Sequence, residues 1–292
     1  MSKDLTLISI DWDFFIWNGA ESKEKITIHP GTDNEIDYPI SLFFDWGHSE
    51  SWQLALGQYL WMSRFSYVHR MGHDLEKICN IRTDDVQPGE FLTEIQKRFA
   101  FNEDAPVWVA DSHVYATPSI SSLGSFPIKV VNFDAHHDLG YDGEKIKNEI
   151  EEDQCDCASW LFHGLDSGSV SSADIVYPDW KGKIECRDFE HLAPHRKKIQ
   201  VFTWSEWLKS ASREKAIGSF ICRSSAWTPP WLDGHFHDFY QRLGHEAVCW
   251  DCISPPEEKV GAYDACEPRE WDRPAALEHA IQEEVAFSQA KS

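Results

Sequence analysis

The chain has 292 residues, of which 49 are Asp or Glu and 27 are Lys or Arg, and its formal net charge at neutral pH is −22. This charge argues against a partner bound mainly through phosphates, because affinity for nucleic acid is carried by clustered Lys and Arg. With 42% apolar and 13% aromatic residues, the chain can bury one large α/β core, which excludes global disorder.

No segment predicts a membrane anchor or an export signal. The first apolar run, Leu5 to Ile10, ends at Asp11 and is too short to cross a bilayer. No apolar stretch follows a basic start or leads to a small-residue cleavage site, so we expect a cytoplasmic protein. In the absence of a repeat or a long linker, a single domain over residues 1–292 is the simplest organisation.

Short apolar runs alternate with helical patterns along the chain. The runs predict strands at Leu5–Ile10, Val107–Ala110, Ile128–Phe133, Ile175–Tyr177, Ile199–Trp204 and Ser219–Arg223. The helical patterns lie at Glu50–Tyr67, Glu90–Phe101, Glu144–Glu152, Ser205–Ile217, Leu232–Gly244 and Ala275–Ala290, and a turn-rich connection is predicted at Pro118–Pro127. This alternation is typical of a three-layer α/β/α fold with a mainly parallel central sheet, whose ligands bind outside the carboxyl ends of the strands.

Three of the predicted strands run directly into Asp and His. The segments are Ile8-Ser-Ile-Asp11-Trp-Asp13-Phe-Phe, Val109-Ala-Asp111-Ser-His113 and Val131-Asn-Phe-Asp134-Ala-His136-His-Asp138. Residues two apart in an extended segment point to the same side, so Asp11 and Asp13 form one row. Asp134, His136 and Asp138 form a second row, and His113 completes a set of six candidate metal ligands.

The composition of this set indicates the kind of metal site. Four carboxylates are too many negative charges to hold together without cations, and six ligands are too many for one tetrahedral zinc. Two divalent ions bridged by carboxylates fit better, and oxygen-rich surroundings favour Mn²⁺ over Zn²⁺. A water bridging such ions is deprotonated near neutral pH and becomes the nucleophile of a hydrolysis. A lone Asp-x-Asp after a strand is most often a turn or a helix cap, but the three segments together favour the metal site.

The segment Asp134-Ala-His136-His-Asp138 resembles the hallmark strand end of the arginase and agmatinase superfamily. The upstream Asp111-Ser-His113 and Asp11-Trp-Asp13-Phe-Phe resemble its other two metal motifs. The resemblance is closest to the divergent branch called peptide arginases, which Cys157-Ala-Ser-Trp160-Leu and Cys222-Arg-Ser-Ser-Ala-Trp-Thr-Pro-Pro230 also resemble. In ordinary arginases the Asp-x-Asp motif comes last, whereas here it opens the chain, so we interpret the arrangement as circularly permuted.

The resemblance implies an arginase-like fold and a specific reaction. A dinuclear manganese enzyme of this branch converts arginine residues of a ribosomally made precursor peptide to ornithine and releases urea, when a metal-bridging hydroxide attacks the guanidinium carbon. By the resemblance, His113 and Asp138 would bind one Mn²⁺, His136 and Asp13 the other, and Asp134 and Asp11 would span both. Fe or Co in place of Mn and assembly into a homo-oligomer remain open.

The reaction needs two further groups. A carboxylate must hold the delocalised guanidinium against the nucleophile, and the candidates are Glu50 and Asp45, although Glu50 also suits the start of a helix. The departing amine needs a proton, which a His near its ordinary pKa can supply. His163 is the first candidate because it follows the metal motif as the proton-relay His of arginases does, and His48 and His137 are alternatives. We therefore expect a catalytic set of His163, Glu50 and the ligand Asp138.

The substrate is predicted to be a peptide rather than free arginine. The segment from Gly140 to Gln154 is acidic and contains no Arg to bind a free α-carboxylate. Trp227 and Trp231, beside Pro229 and Pro230, are candidates for lining an open peptide groove.

Four alternatives remain. Within the superfamily, the protein could hydrolyse a small free guanidino compound, or act as a deacetylase-like amide hydrolase with one zinc held by two Asp and one His. Outside the superfamily, the ions could contribute to binding or stability without turnover. The protein could also be a dinuclear metal phosphoesterase. The pairs Cys155–Cys157 and Cys249–Cys252 also allow a separate zinc site, although we favour reduced structural thiols.

Overall fold

The computed structural model of the protein describes residues 5–19, 50–70, 72–102, 104–184, 186, 188–210, 213–243, 247–249, 268–269 and 271–290. Side chains are described from residue 60 onward in the segment 50–70, and the segment 247–249 is described as backbone only.

The strands form one large and one small sheet. In chain order they are β1 (Leu5–Asp11), β2 (Trp17–Asn18), β3 (Cys79–Asn80), β4 (Phe99–Phe101), β5 (Val107–Ala110), β6 (Ile128–Phe133), β7 (Val170–Tyr177), β8 (Ile199–Thr203), β9 (Glu214–Cys222) and β10 (Ala247–Cys249). The large sheet has the order β10-β5-β9-β1-β6-β7-β8, with β4 paired to the first part of β9. Every described pairing in it is parallel, whereas β2 and β3 form a separate antiparallel pair.

Helices cover both faces of the large sheet. They are α1 (Glu50–Arg70), α2 (Leu75–Ile78), α3 (Pro88–Arg98), α4 (Ala116–Ser122), α5 (Gly143–Glu152), α6 (Trp160–Ser167), α7 (Trp204–Ser210), α8 (Asp233–Gln241) and α9 (Arg273–Ala290). Successive residues of β1 enter two different apolar cores, because side chains alternate across a strand. Ile8 and Ile10 pack with α1, α3, α7, α8 and α9, whereas Leu7 packs with α4, α5 and α6. The predicted α/β architecture with a parallel sheet between helical layers is thus confirmed.

Some predicted boundaries were wrong. The helix predicted at Ser205–Ile217 ends at Ser210, and residues 214–217 belong to β9, where Lys215 pairs with both Leu5 and Ala100. The helix predicted at Glu90–Phe101 likewise ends before β4. The connection predicted at Pro118–Pro127 overlaps α4, because Pro118 lies in its first turn, where no helical N–H is needed.

No helix in the described part of the chain is long and apolar enough to cross a membrane.

Candidate metal centre

The topology brings the three Asp- and His-bearing strand ends together. Strand β1 opens the chain but lies between β9 and β6, and β5 lies on the other side of β9. Asp11 is in register with Cys222 at the end of β9, and Ala110 of β5 is in register with the same Cys222. The predicted ligands therefore leave the sheet at one edge, and six of them gather there as the acidic cluster, defined as Asp11, Asp13, His113, Asp134, His136 and Asp138.

His113 is the centre of the more deeply buried half of the acidic cluster. Its Nδ1 atom lies 3.1 Å from Asp11 Oδ2, 3.3 Å from Asp134 Oδ2 and 3.0 Å from Asp138 Oδ2. Its Nε2 atom lies 2.8 Å from Ser9 Oγ, which can fix the ring orientation. A ring nitrogen carries one proton or one lone pair, so Nδ1 cannot satisfy three carboxylate oxygens. A cation among these atoms would satisfy all of them.

His136 is the centre of the other half. Its Nδ1 atom lies 2.8 Å from Asp13 Oδ2 and 3.5 Å from Asp134 Oδ1. Asp13 Oδ2 is buried, and His136 is the described side chain that faces it. The two oxygens of Asp134 thus face the two different imidazoles, Oδ2 toward His113 and Oδ1 toward His136. The geometry places Asp134 between two groups of potential ligands.

Asp11 has a different position from Asp134. Its Oδ2 atom faces His113, but its Oδ1 atom accepts a hydrogen bond of 3.0 Å from the backbone N–H of Asp13. Asp134 Oδ1 also accepts a backbone N–H, that of His136 at 2.6 Å, but it lies 3.5 Å from an imidazole nitrogen as well. The described ion pair of Asp11 is with His113, so Asp11 belongs with the His113 half in this arrangement, and its role in spanning both halves stays a prediction.

Several side chains that hold the ligands were not singled out from the sequence. The indole Nε1–H of Trp160 donates to Asp138 Oδ2 at 2.7 Å, and the indole ring stacks on His113 with ring centres 5.1 Å apart. The hydroxyl of Ser224 donates to Asp11 Oδ2. Both residues lie in short motifs named above, Trp160 in Cys157–Leu161 and Ser224 in Cys222–Pro230.

The acidic cluster carries a surplus of negative charge that protons partly neutralise. Burial, followed by Asp134, raises the pKa of Asp138 to about 7. Burial, followed by Asp11 and Asp134, raises the pKa of Asp13 well above its ordinary value. Burial lowers the pKa of His113, but the surrounding carboxylates outweigh it and leave that pKa well above the ordinary value. Such shifts are expected where like charges lie together in a buried site.

Asp111 directly follows strand β5, as Asp134 follows β6, but its hydrogen bonds are with a buried arginine and a serine rather than with the acidic cluster. It accepts hydrogen bonds from Arg223 Nε at 3.0 Å and from Ser225 Oγ at 2.6 Å. Arg223 Nη1 also lies 3.5 Å from Asp233, which accepts from Arg269 Nε at 2.9 Å. We call these four buried residues the arginine cluster, defined as Asp111, Arg223, Asp233 and Arg269.

The predicted proton donors are not all at the site. His163 lies in α6, and its Nε2 atom is 3.1 Å from Glu149 Oε2; none of its described contacts is with the acidic cluster. His137 is buried beside the cluster, and its Nδ1 atom accepts from the backbone N–H of Leu139. Burial, followed by His136, lowers the pKa of His137 to about 3, so its ring is neutral near physiological pH. The role of His163 stays a prediction.

The predicted guanidinium-binding carboxylates lie outside the described side chains. Glu50 is the first residue of α1, and its side chain is not described. Asp45 and the alternative proton donor His48 lie outside the described residues. Of the predicted cysteine pairs, Cys252 also lies outside them, while burial raises the pKa of the Cys155 thiol to about 11.

A small cavity reaches the His136 half of the acidic cluster. It is lined by Asp13, Ile16, Asn18, Ala135, His136, Trp180 and Trp227. The side chain of His136 is 25% exposed, whereas that of Asp13 is 8% exposed, so His136 is the ligand nearest to solvent. The Trp227 ring centre lies 6.0 Å from that of His136. Trp231, also predicted to line a groove, packs instead on Trp61 and Trp271.

No protein-family model, no curated protein and no solved structure matches the chain. What the site can do follows from its own residues, whose buried acidic and imidazole groups can hold a metal ion.

Proposed function

We propose that the protein is a dinuclear manganese hydrolase that converts arginine residues of a precursor peptide to ornithine and releases urea. The observation that carries the proposal is the position of Asp134, whose two oxygens face His113 and His136 separately. Two imidazoles joined by one shared carboxylate support two ions rather than one. Asp138 would complete the His113 half, and Asp13 the His136 half.

The donor set supports manganese. Four carboxylates and two imidazoles are predominantly hard oxygen ligands, which suit Mn²⁺ better than Zn²⁺. Bound divalent ions would supply a nucleophile by lowering the pKa of water to near neutrality. Ser9 and Trp160 would orient His113 and Asp138 through the hydrogen bonds they make to them.

The cavity supports a cationic substrate. Aromatic faces attract a delocalised cation such as guanidinium, and Trp180 and Trp227 both line the cavity beside His136. Neither Lys nor Arg is among the described residues that line it. A guanidinium that entered this cavity would reach the His136 half of the acidic cluster first, since His136 is the most exposed of the six candidate ligands.

An arginine within a peptide is favoured over free arginine. The described segment after the metal motif holds two lysines, and both face acidic neighbours: Lys145 is paired with Glu149 and Asp156, and Lys147 lies 3.9 Å from Glu151. The position of β1 between β9 and β6, although it precedes both in the sequence, supports the circularly permuted version of the superfamily. The proposal of the peptide-arginase reaction itself rests on the resemblance of the sequence motifs to that branch.

The test is urea release by Mn²⁺-loaded protein from an arginine-containing peptide and from free arginine. We expect urea from the peptide, and none when Asp134→Asn replaces the wild type. Asp142→Asn is the matched control, because Asp142 is an exposed helix cap four residues from Asp138 and should retain activity.

Metal analysis of the same samples separates the alternatives. Two Mn²⁺ per chain and urea from free arginine alone would favour a small guanidino substrate. One tightly held Zn²⁺ per chain and no urea would contradict the proposal and favour the deacetylase-like reaction.

A further inference from the structure

The turn that follows β9 carries a strained residue at the acidic cluster. Ser224 has a φ of 50°, in the left-handed region that a non-glycine residue occupies only when its surroundings hold it there. The Arg223 N–H donates to the Ala110 carbonyl at 2.8 Å, and the Thr228 hydroxyl donates to the Arg223 carbonyl at 2.7 Å. The Trp227 N–H donates to the Ser224 carbonyl at 2.8 Å. The backbone on both sides of Ser224 is thus fixed.

The arginine cluster adds a second set of restraints to this turn. Arg269 Nη1 donates to the Ser225 carbonyl at 2.7 Å, and the indole N–H of Trp61 donates to the same oxygen at 2.9 Å. Ser225 itself donates through its hydroxyl to Asp111. These contacts come from three separate parts of the chain, so the conformation of Ser224 is imposed by the tertiary structure rather than by local sequence.

The Ser224 hydroxyl lies between a ligand and a thiol. It donates to Asp11 Oδ2, and it lies 3.1 Å from Cys222 Sγ. A carboxylate only accepts and a hydroxyl has one proton, so this geometry requires the Cys222 S–H to donate to Ser224. Cys222 Sγ, an Asp11 oxygen and a His113 nitrogen all lie within 4.8 Å of one another. The thiol is therefore close enough to be a ligand, and in this geometry its proton faces the Ser224 hydroxyl.

We propose that Ser224 is a positioning residue that orients Asp11 toward the metal and keeps the Cys222 thiol out of the ligand set. The left-handed backbone of Ser224 places its hydroxyl between Asp11 and Cys222. The consequence is a centre of oxygen and nitrogen donors, which suits hard divalent ions, although a soft ligand lies next to it. The inference rests on the metal centre of the proposed function but not on its substrate.

The first test compares Ser224→Ala with Ser224→Gly in the full-length protein, using the electron paramagnetic resonance signal of free Mn²⁺ to measure binding. Both variants lose the hydroxyl, but glycine adopts the left-handed backbone without strain, so Ser224→Gly should keep the fold. We expect both variants to bind Mn²⁺ about 10- to 100-fold more weakly, because removing a hydrogen bond that orients a metal ligand weakens metal binding by about this factor. Wild-type affinity in Ser224→Gly would mean that only the backbone matters, and would overturn the inference.

Ser225→Ala is the matched control, since it removes a neighbouring buried hydroxyl that contacts Asp111 rather than a ligand, while the backbone contacts of Ser225 with Asp111, Arg269 and Trp61 still hold the turn. We expect its Mn²⁺ affinity to stay within about twofold of the wild type. If Ser225→Ala lost as much Mn²⁺ affinity as the Ser224 variants, both hydroxyls would act only by stabilising the turn, and the specific role of Ser224 would be overturned.

The second test uses Co²⁺, whose bond to a thiolate gives a near-ultraviolet charge-transfer band. We expect no such band in the wild type, a band in Ser224→Ala, and its loss in the double variant Ser224→Ala/Cys222→Ser. Cys186→Ser is the control for another buried cysteine and should leave the spectra unchanged. A thiolate band in the wild type, or none in Ser224→Ala, overturns the exclusion of Cys222.

The two proposals fail in different ways. If the wild type binds two Mn²⁺ per chain and both Ser224 variants bind them equally well, only this inference is overturned. If the wild type binds no divalent ion, the metal centre fails, and the inference fails with it. Absence of urea from any peptide, with weakened Mn²⁺ binding in both variants, supports the inference and contradicts only the reaction.

Discussion

Two buried groups of carboxylates lie at neighbouring strand ends, and they differ in how their charge is balanced. In the arginine cluster, Asp111 and Asp233 are matched by the guanidinium groups of Arg223 and Arg269. In the acidic cluster, four carboxylates share two imidazoles, and no Lys or Arg among the described residues forms an ion pair with them. The charges of the arginine cluster are balanced within the folded protein, whereas the residues of the acidic cluster can hold a metal ion from solution.

The two clusters differ in how they offset the free-energy cost of burying their carboxylates. An unpaired buried charge is expensive, so a protein either pairs it, protonates it or binds a metal there. The arginine cluster uses the first solution. Burial and the neighbouring carboxylates raise the pKa of Asp13 and of Asp138, which favours the second solution in the acidic cluster. Bound ions would replace those protons, so the two clusters should respond oppositely to substitution, to metal and to pH.

The largest expected effect is on the arginine cluster. Asp233→Ala leaves Arg269 without its carboxylate partner and Arg223 with only one, which should lower the free energy of unfolding by about 3–5 kcal/mol. The loss should be at least as large with Mn²⁺ as without it, because no metal enters this cluster and Arg269 also holds the turn that carries Ser224. Denaturant unfolding in both conditions measures it. A loss that Mn²⁺ restores would contradict the separation of the two clusters.

The acidic cluster should respond in the opposite direction. Asp13→Asn removes one of the crowded carboxylates, and the remaining oxygen can still accept from the backbone N–H of Ala135. We expect the metal-free variant to be at least as stable as the wild type near pH 8. At a Mn²⁺ concentration about 100 times the wild-type Kd, the wild type should gain about 2.7 kcal/mol and the variant much less. Thermal unfolding with and without Mn²⁺ tests both halves of this prediction.

A third comparison uses pH. The pKa of Asp138 is about 7 in the folded protein, against an ordinary value of 3.8, so between these values the folded state holds the extra proton. The contribution of this group to stability is therefore present at the acid end and is lost as the pH rises through 7. His113, whose pKa is also raised, acts in the same direction.

Metal-free protein should accordingly lose stability between about pH 5 and pH 8, while protection by Mn²⁺ grows, since ligands must release protons to bind it. Asp138→Asn lacks the titrating group and should show a flatter metal-free profile. Melting temperatures across this range, with and without Mn²⁺, would contradict the prediction if the two metal-free profiles had the same slope.

The sequence was sufficient for the parallel sheet and for the six residues of the acidic cluster. Apolar strands such as Ile128–Phe133 end directly in the ligands, so the strand and the site share one local signal. Asp111 shows that this local signal does not distinguish a candidate metal ligand from a carboxylate in an ion pair. It follows its strand as Asp134 follows β6, but it pairs with Arg223, 112 positions away in the chain. Only the fold determines which strand-end carboxylates meet a guanidinium.

The same reason explains the wrong helix boundaries. Glu214 and Lys215 have the composition of a helix end, yet Lys215 lies in β9 between Leu5 of β1 and Ala100 of β4. Pairing on both edges outweighs the weak local preference of these residues. Ser224 was likewise invisible as a contact of Asp11, because its left-handed backbone depends on side chains from elsewhere in the chain.

The smallest expected effect concerns Trp227, which joins the two regions without carrying charge. Its turn is held by the arginine cluster, and its ring lines the cavity beside His136. Trp227→Leu removes the aromatic face and should raise the KM for an arginine-containing peptide about fivefold, corresponding to about 1 kcal/mol of cation–π attraction. Trp227→Phe should fall between leucine and the wild type.

Because no charge changes in either cluster, Mn²⁺ affinity and kcat should stay close to wild type in both variants. Trp231→Phe is the matched control, since Trp231 packs on Trp61 and Trp271 rather than in the cavity, and its KM should not change. Equal KM values for Trp227→Leu and the wild type would remove Trp227 from substrate recognition. A loss of Mn²⁺ binding would instead show that the ring supports His136, and would assign this wall of the cavity to the acidic cluster rather than to the substrate.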